Sequence, residues 1–284
     1  MNADYETINR AKWDERAPIH ASSKDYKFYE FIGNPSYISH VVQFDRPLLG
    51  DITNLQCAHL QCHIGTDTLS LARLGAASVT GLDFSSASLK EARRLAAATH
   101  GTGGEKLTFV EASVYDGLGV LKPGSFDLVF TGIGALCWIH SIQEWAKVVS
   151  GLLKPGGRLF IREAHPILWA IDDEQQDGLF VKFPYFEHEE PVMFDDVGTY
   201  VDSGEYKFTA TKSAIFNHGL GEIIQALLST GLVISGLNEH QSVPWLALPG
   251  QMTADERGDE AQIAPNSDMD FKCEESLLEI AVVH

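Results

Sequence analysis

The chain has 284 residues, 44% hydrophobic and 21% charged, which suits a folded protein and is too apolar for a disordered one. Its 21 basic against 39 acidic side chains leave a formal charge of −18, which repels phosphate backbones and speaks against nucleic acid as a partner. No stretch reaches the roughly 18 apolar residues of a membrane span. The acidic start Met1-Asn2-Ala3-Asp4 lacks a secretory signal, and Cys57, Cys62, Cys137 and Cys273 form no CxxC pair, so reduced thiols in a cytoplasmic protein are expected.

Residues 5–49 read as polar helices with Trp13, Ala17, Tyr26, Phe28 and Phe31 as apolar points. From residue 55 a strand-helix rhythm begins. Leu55–Cys62 reads as a buried strand, and Thr66–Leu74 as a helix stopped by Gly75. Ser78–Leu82 is a second strand ending at Asp83, followed by a helix over Ser85–Ala98 opened by capping serines. Leu107–Val110 and Phe126–Thr131 are the third and fourth strands. Ile142, Trp145, Val148 or Val149, and Leu152 mark one face of the next helix, which Lys154-Pro155-Gly156-Gly157 should stop before a fifth strand, Arg158–Arg162.

The segment 166–216 breaks the rhythm with aromatics, prolines and acids, and Tyr200–Thr211 alternates like a hairpin arm. A helix over Gly221–Leu228 and strands over Leu232–Leu237 and Leu277–Val283 close the chain. Strands alternating with helices of this length imply parallel pairing through right-handed crossovers. The expected architecture is one doubly wound α/β domain with an N-terminal helical cap and an insertion after the fifth strand. The charge is concentrated: 172–205 holds eleven acids and only Lys182, and 255–275 holds eight acids against Arg257 and Lys272. These read as solvated faces, or as a negative rim over a site for a neutral or cationic ligand.

In an open parallel sheet, ligands sit beyond the carboxyl ends of the strands. The first such loop, His59-Leu60-Gln61-Cys62-His63-Ile64-Gly65-Thr66-Asp67-Thr68, leads into a helix whose backbone N–H groups can face a carboxylate. It lacks the glycines of a dinucleotide loop and the Gly-Lys-Ser/Thr of a P-loop. Gly65 is either a close approach for a ligand or a plain tight turn. Asp83, 18 residues further on at a strand end, suits the two hydroxyls of a ribose, or else caps the helix behind it. Phe84 could pack on an adenine face. Cys57, His59, Cys62 and His63 could be read as a metal cluster, but a strand and its loop point them apart, so no metal is expected.

The order of the Gly65 loop, the Asp83 strand end, the Phe126-Asp127-Leu128-Val129-Phe130 strand and Leu152-Leu153-Lys154-Pro155-Gly156-Gly157 resembles class I S-adenosylmethionine-dependent methyltransferases over about residues 55–165. The resemblance implies a Rossmann-like, mostly parallel seven-stranded sheet. It divides the chain into a cap, 1–49, and a methyltransferase domain, 50–284, whose segment 166–216 is the acceptor-side insertion. It implies S-adenosylmethionine as cofactor and a small molecule as methyl acceptor. Gly65, with His59, Gln61, His63 and Thr68 of the same loop, would meet the methionine part. Asp83 and Phe84 would meet the nucleoside, Ser113 and Val114 the adenine, and Thr131, Gly132 and Ile133 the transferable methyl. The chain departs from the family's pattern at His59, where an acid is usual, and at Gln61 and His63, where glycines are usual.

If an acceptor proton must leave early, His165 and Glu163 at the fifth strand end are the candidate bases, with His140 and His218 behind them. Trp13, His20, Trp138, Trp169, Tyr185, Phe186 and Trp245 could enclose the acceptor. Two rival readings stand beside the methyltransferase: a catalytically silent cofactor-binding module, suggested by the altered loop, and a nicotinamide-dependent oxidoreductase, against which the missing glycines speak.

Overall fold

The central parallel strands form where runs of apolar residues are buried on both faces, whereas β3 at the sheet edge is half-buried. Strands β1 (Gln56–Leu60), β2 (Ser78–Asp83), β3 (Leu107–Glu111), β4 (Phe126–Thr131) and β5 (Leu153–Ala164) pair in parallel in the order β3-β2-β1-β4-β5. Further along the chain come β6 (Val192–Asp195), β7 (Lys212–Ile215), β8 (Val233–His240), β9 (Met252–Ala254), β10 (Ala261–Ile263) and β11 (Leu277–Val283). β11 pairs antiparallel with β5 and β8 antiparallel with β11, which extends the same sheet. β6 with β7, and β9 with β10, form separate antiparallel pairs. The computed structural model describes residues 5–175, 178–240, 242–243, 247–248, 252–254, 261–263 and 277–283. Trp245 and Cys273 lie outside the described residues, as does the acidic run 255–275 apart from 261–263.

Helices α1 (Tyr5–Ser22), α2 (Phe28–Gly33) and α3 (His40–Leu49) precede the sheet. α4 (Thr66–Arg73), α5 (Ser86–Ala98), α6 (Gly117–Val120), α7 (Ile142–Leu152), α8 (Pro166–Ala170) and α9 (Leu220–Ser229) follow along the chain. One face of the sheet is buried under α7 and α9 through Val129, Trp145, Leu152, Ile161 and Leu227. The other face is buried under α3 and α4 through Leu49, Leu71, Leu128, Phe130 and Phe160. Capping fixes the helix starts: Ser85 Oγ accepts the Ser88 N–H at α5, and Ser141 Oγ accepts the Glu144 N–H at α7. No described helix is long and apolar enough to cross a membrane.

Two expectations are corrected. Lys154-Pro155-Gly156-Gly157 does not stop the helix: α7 ends at Leu152, and β5 already begins at Leu153. Phe126 pairs with Leu153 and Leu128 with Arg158, so the block bulges out of the ladder, where Gly156 takes a positive φ of 79° and Pro155 has no N–H to contribute. Nor is Tyr200–Thr211 a hairpin arm. The hairpin is β6 with β7, and the 200–211 backbone turns at Gly204. Its polar groups are satisfied by α1 side chains instead of a ladder: the Thr209 and Ala210 N–H groups donate to Glu15, and the Ala210 carbonyl accepts from Arg16.

Candidate functional site

The loop after β1 passes three times through left-handed backbone, and one of those residues is a glycine. Gln61 (φ 56°), His63 (φ 48°) and Gly65 (φ 79°) alternate in the left-handed region. Only Gly65 adopts it freely; a side chain there costs roughly 1–2 kcal/mol per residue. Specific contacts hold the two strained residues. Gln61 Nε2 donates to the Ala135 carbonyl at 2.7 Å, and the His63 N–H donates to Asp83 Oδ2 at 2.8 Å. His63 Nδ1 lies 3.1 Å from Ser88 Oγ and its Nε2 lies 3.0 Å from His20 Nδ1. Gly65 has a second requirement: a Cβ there would stand 2.8 Å from the Ala92 Cβ.

Around this loop the strand ends bring most of the sequence-predicted residues together. Asp83 closes β2, nearly buried, and does not cap α5, which Ser85 does. Its oxygens accept the Ser85 and His63 N–H groups at 2.9 and 2.8 Å. Burial lifts its pKa to about 6. Phe84 and Ser113 line an open cleft of about 570 Å³ together with Arg10, Glu111, Tyr115 and Asp116, and Val114 is buried beside it. His59, one residue before the end of β1, is buried with Nδ1 2.9 Å from Thr68 Oγ1; burial lowers its pKa to about 3, so the ring is neutral. Thr131 ends β4 opposite Leu60, with Gly132 and Ile133 following.

The four metal-type side chains go separate ways. Cys57 Sγ points to the Leu55 carbonyl and Cys62 Sγ to that of His63, while both imidazoles bind hydroxyls. Among the described residues no group of three or more such side chains is placed to hold a metal ion.

The two proposed bases have other work. Glu163 is buried, with Oε1 accepting the Gly134 and Ala164 N–H groups and Oε2 those of Ala135 and Leu136, all within 2.9 Å. Three of these four N–H groups belong to the loop after β4 and the fourth to β5 itself, so Glu163 holds that loop in place. His165 caps α8 by accepting the Ile167 N–H at Nδ1, and its Nε2 faces Glu239 at 3.1 Å. His218 clamps the same loop, with Nε2 at the Leu136 and Ile139 carbonyls and Nδ1 2.7 Å from Glu187. His140 packs on Tyr115.

Sequence reasoning missed the contribution of α1. Asp14 accepts the Ser85 hydroxyl and the Ala87 N–H, Glu6 accepts the Ser113 hydroxyl, and the Arg10 guanidinium lies 5.9 Å from the Phe84 ring. Glu6, Arg10 and Asp14 follow each other at four-residue spacing, a signal of one helix face that was legible. Trp13 packs edge-on against Trp138 and His63 with ring centres 5.0 and 4.9 Å apart. Of the other candidate aromatics, Trp169 lines a small void with Glu163, and Tyr185 and Phe186 pack on each other in the insertion.

An adenosyl amino acid fits these residues. The open cleft flanks Phe84, a carboxylate closes β2, and a helix N-terminus follows Gly65. Beyond it, Gln61 Oε1 and Thr131 Oγ1 are buried oxygens without a hydrogen-bond partner.

Residues 58–159 match the family described as methyltransferase domain. No curated protein matches the chain. Among solved structures, an S-adenosylmethionine dependent methyltransferase from Mesorhizobium loti is similar, with 22% identity, TM-score 0.56, and coverage of 85% of this chain and 96% of that one. Geranyl diphosphate C-methyltransferase from Streptomyces coelicolor, in complex with magnesium, geranyl diphosphate and S-adenosylhomocysteine, gives 14% identity and a TM-score of 0.54 over 85% and 77%. Magnesium protoporphyrin IX methyltransferase from Synechocystis, with bound S-adenosylhomocysteine, gives 15% and 0.53 over 99% and 97%. Residues 58–159 thus carry the match to a methyltransferase domain, and the chain shares its fold with solved S-adenosylmethionine-dependent methyltransferases.

Proposed function

We propose that the chain methylates a small molecule held where the ends of β4 and β5 face α1 and the 166–216 insertion. The observation that carries this reading is the loop after β1, which keeps three left-handed residues at 61, 63 and 65 although two of them pay a steric penalty. Bound S-adenosylmethionine supplies an electrophilic methyl on a sulfonium. Asp83 accepts hydroxyl hydrogen bonds from the ribose, and Phe84, Ser113 and Val114 border the adenine. His59, Gln61, His63, Gly65 and Thr68 shape the methionine end, and Thr131, Gly132 and Ile133 border the methyl. The helices of 1–49 act as a cap over the sheet.

With a neutral acceptor, positive charge disperses as the methyl moves, so alignment and exclusion of water provide much of the rate. Trp13 and Trp138 keep the site dry, and Glu163 and His165 act by positioning the loops around it. The acceptors named for two similar structures, geranyl diphosphate and magnesium protoporphyrin IX, support a small-molecule acceptor. The buried free thiols Cys57, Cys62 and Cys137 suit a cytoplasmic protein.

Calorimetry with S-adenosylhomocysteine tests the binding half of the reading: micromolar affinity is expected, and absence of heat in folded protein refutes it. Release of S-adenosylhomocysteine from S-adenosylmethionine in the presence of a metabolite panel tests turnover. The silent-module alternative draws on the nearly buried Asp83, whose oxygens are already bonded to backbone N–H groups. It predicts binding with no turnover across the whole panel.

A further inference from the structure

We infer that Asp67 is the counter-ion for the ammonium group of the cofactor's amino-acid end, with Gln61 Oε1 and Thr131 Oγ1 as its neutral partners. The inference rests on the S-adenosylmethionine reading above. The polar side chain near the end of β1 is His59, whose ring is neutral and bonded to Thr68, so this strand end offers no negative charge to a cation. The nearby carboxylate comes from elsewhere. Asp67 sits in the first turn of α4, two residues past Gly65, and its Oδ2 lies 3.5 Å from the point where a Cβ on Gly132 would stand. His59 Nε2 is 3.9 Å from the same point, so the carboxylate reaches the seam between the ends of β1 and β4.

Two further acceptors flank this seam. Thr131 is fully buried and pairs in register with Leu60, the residue before Gln61. Thr131 Oγ1 and Gln61 Oε1 are both buried and without a hydrogen-bond partner. Unsatisfied buried oxygens are costly and call for a donor. Asp67 shows the same need. Burial raises its pKa, and the Ser39 hydroxyl and the field of Arg162 only partly offset that. Arg162 is itself committed to Asp45 and lies over the Phe44 ring. A primary ammonium carries one positive charge and three N–H donors, which matches one carboxylate and two neutral oxygens.

The test compares two probes on the intact chain by calorimetry. S-adenosylhomocysteine carries the ammonium; 5′-methylthioadenosine keeps the nucleoside and lacks the amino acid. Asp67→Asn is expected to weaken S-adenosylhomocysteine about 10- to 100-fold and leave 5′-methylthioadenosine unchanged. Thr131→Val is expected to weaken S-adenosylhomocysteine about 3- to 10-fold while the melting temperature stays level or rises, because the hydroxyl removed has no partner in the free protein. That variant decides the matter if Asp67→Asn fails to fold. Unchanged S-adenosylhomocysteine affinity in either folded variant overturns the inference, as does an equal loss for both probes. A native protein that binds neither probe overturns the cofactor reading along with it. A native protein that binds S-adenosylhomocysteine, with variants that bind it equally well, overturns the inference alone.

Discussion

Acid should weaken this fold at a pH where most proteins are unaffected, and His20 isolates the cause. Its ring is fully buried between α1 and the first loop, with Nδ1 3.0 Å from His63 Nε2 and Nε2 2.6 Å from Thr199 Oγ1. Burial lowers its pKa to about 3, with the charge of Arg16 adding to the effect. Burial likewise lowers His59 to about 3 and His63 well below the ordinary value. A histidine depressed in the folded state contributes stability that is complete above the unfolded pKa of about 6.5 and is lost as pH falls toward the folded value. At pH 5 the unfolded rings of His20 and His59 have taken their protons and the folded rings have not, a difference of about 2 kcal/mol for each at 1.36 kcal/mol per pH unit, and His63 acts in the same direction.

Asp83 works in the opposite sense. Raised to about 6 in the folded chain, it takes up a proton between about pH 6 and 4 before the unfolded chain does, and returns about 1.4 kcal/mol at pH 5. Glu163 and Asp67, also raised by burial, act in the same direction as Asp83. The histidine contribution is separated from these by comparing the native chain with His20→Gln in urea titrations at pH 7, 6 and 5. The stability lost between pH 7 and 5 should be about 2 kcal/mol smaller in the variant. Equal losses in the two proteins would refute the buried, neutral ring.

Three other substitutions probe the frame of the site. Arg16→Ala removes a buried guanidinium that donates to the carbonyls of Asp196, Gly198 and Ala210 and stacks 4.3 Å from Phe208. It should cost roughly 3–5 kcal/mol, and limited proteolysis should cut first within 196–211; an unchanged digestion pattern counts against the clamp. Gly65→Ala forces a side chain into the left-handed region and against Ala92. A loss of about 2–4 kcal/mol in denaturant is expected, whereas a neutral effect would mean the loop can move aside. Glu163→Gln turns an amide nitrogen toward two of the four N–H groups it now accepts. It should cost about 2–4 kcal/mol in stability and leave the shape of the pH–rate profile intact, while loss of one limb of that profile would restore Glu163 as a base.

The parallel frame was legible because its signal is one-dimensional: β4 is apolar on both faces, and the helices α4, α5 and α7 open or close at serines and glycines that the chain displays. Asp83 was legible for the same reason, since a strand end fixes where its side chain goes. For Glu163 and His165 the strand end placed the residues without saying which backbone groups would claim them. Tyr200–Thr211 was misread because its alternation is real, but its N–H groups are taken by Glu15, 194 residues away in sequence. The loop after β1 hid its nature most effectively. Neither Gln61 nor His63 is a glycine, yet both take a positive φ, and long-range partners such as Asp83, Ser88 and Ala135 make that conformation tenable.

α1 carries the same lesson into function. Its buried stripe is polar, running Asn9, Lys12, Arg16 and His20, so hydrophobic periodicity could not find it. Each of these residues reaches the insertion: Asn9 exchanges two hydrogen bonds with the Ala214 backbone, Lys12 reaches Ser213, Arg16 the carbonyls of 196, 198 and 210, and His20 reaches Thr199. From the same helix, Glu6 and Asp14 fasten to Ser113 and Ser85 on the side proposed for the nucleoside, and His20 fastens to His63. One helix therefore bonds both to the segment proposed to choose the acceptor and to the strand ends proposed to hold the cofactor. A polar stripe suits that position. Each of its hydrogen bonds is directional and costly to leave unmade, so the helix can settle in only one register, and the two halves of the site are set by the same contacts.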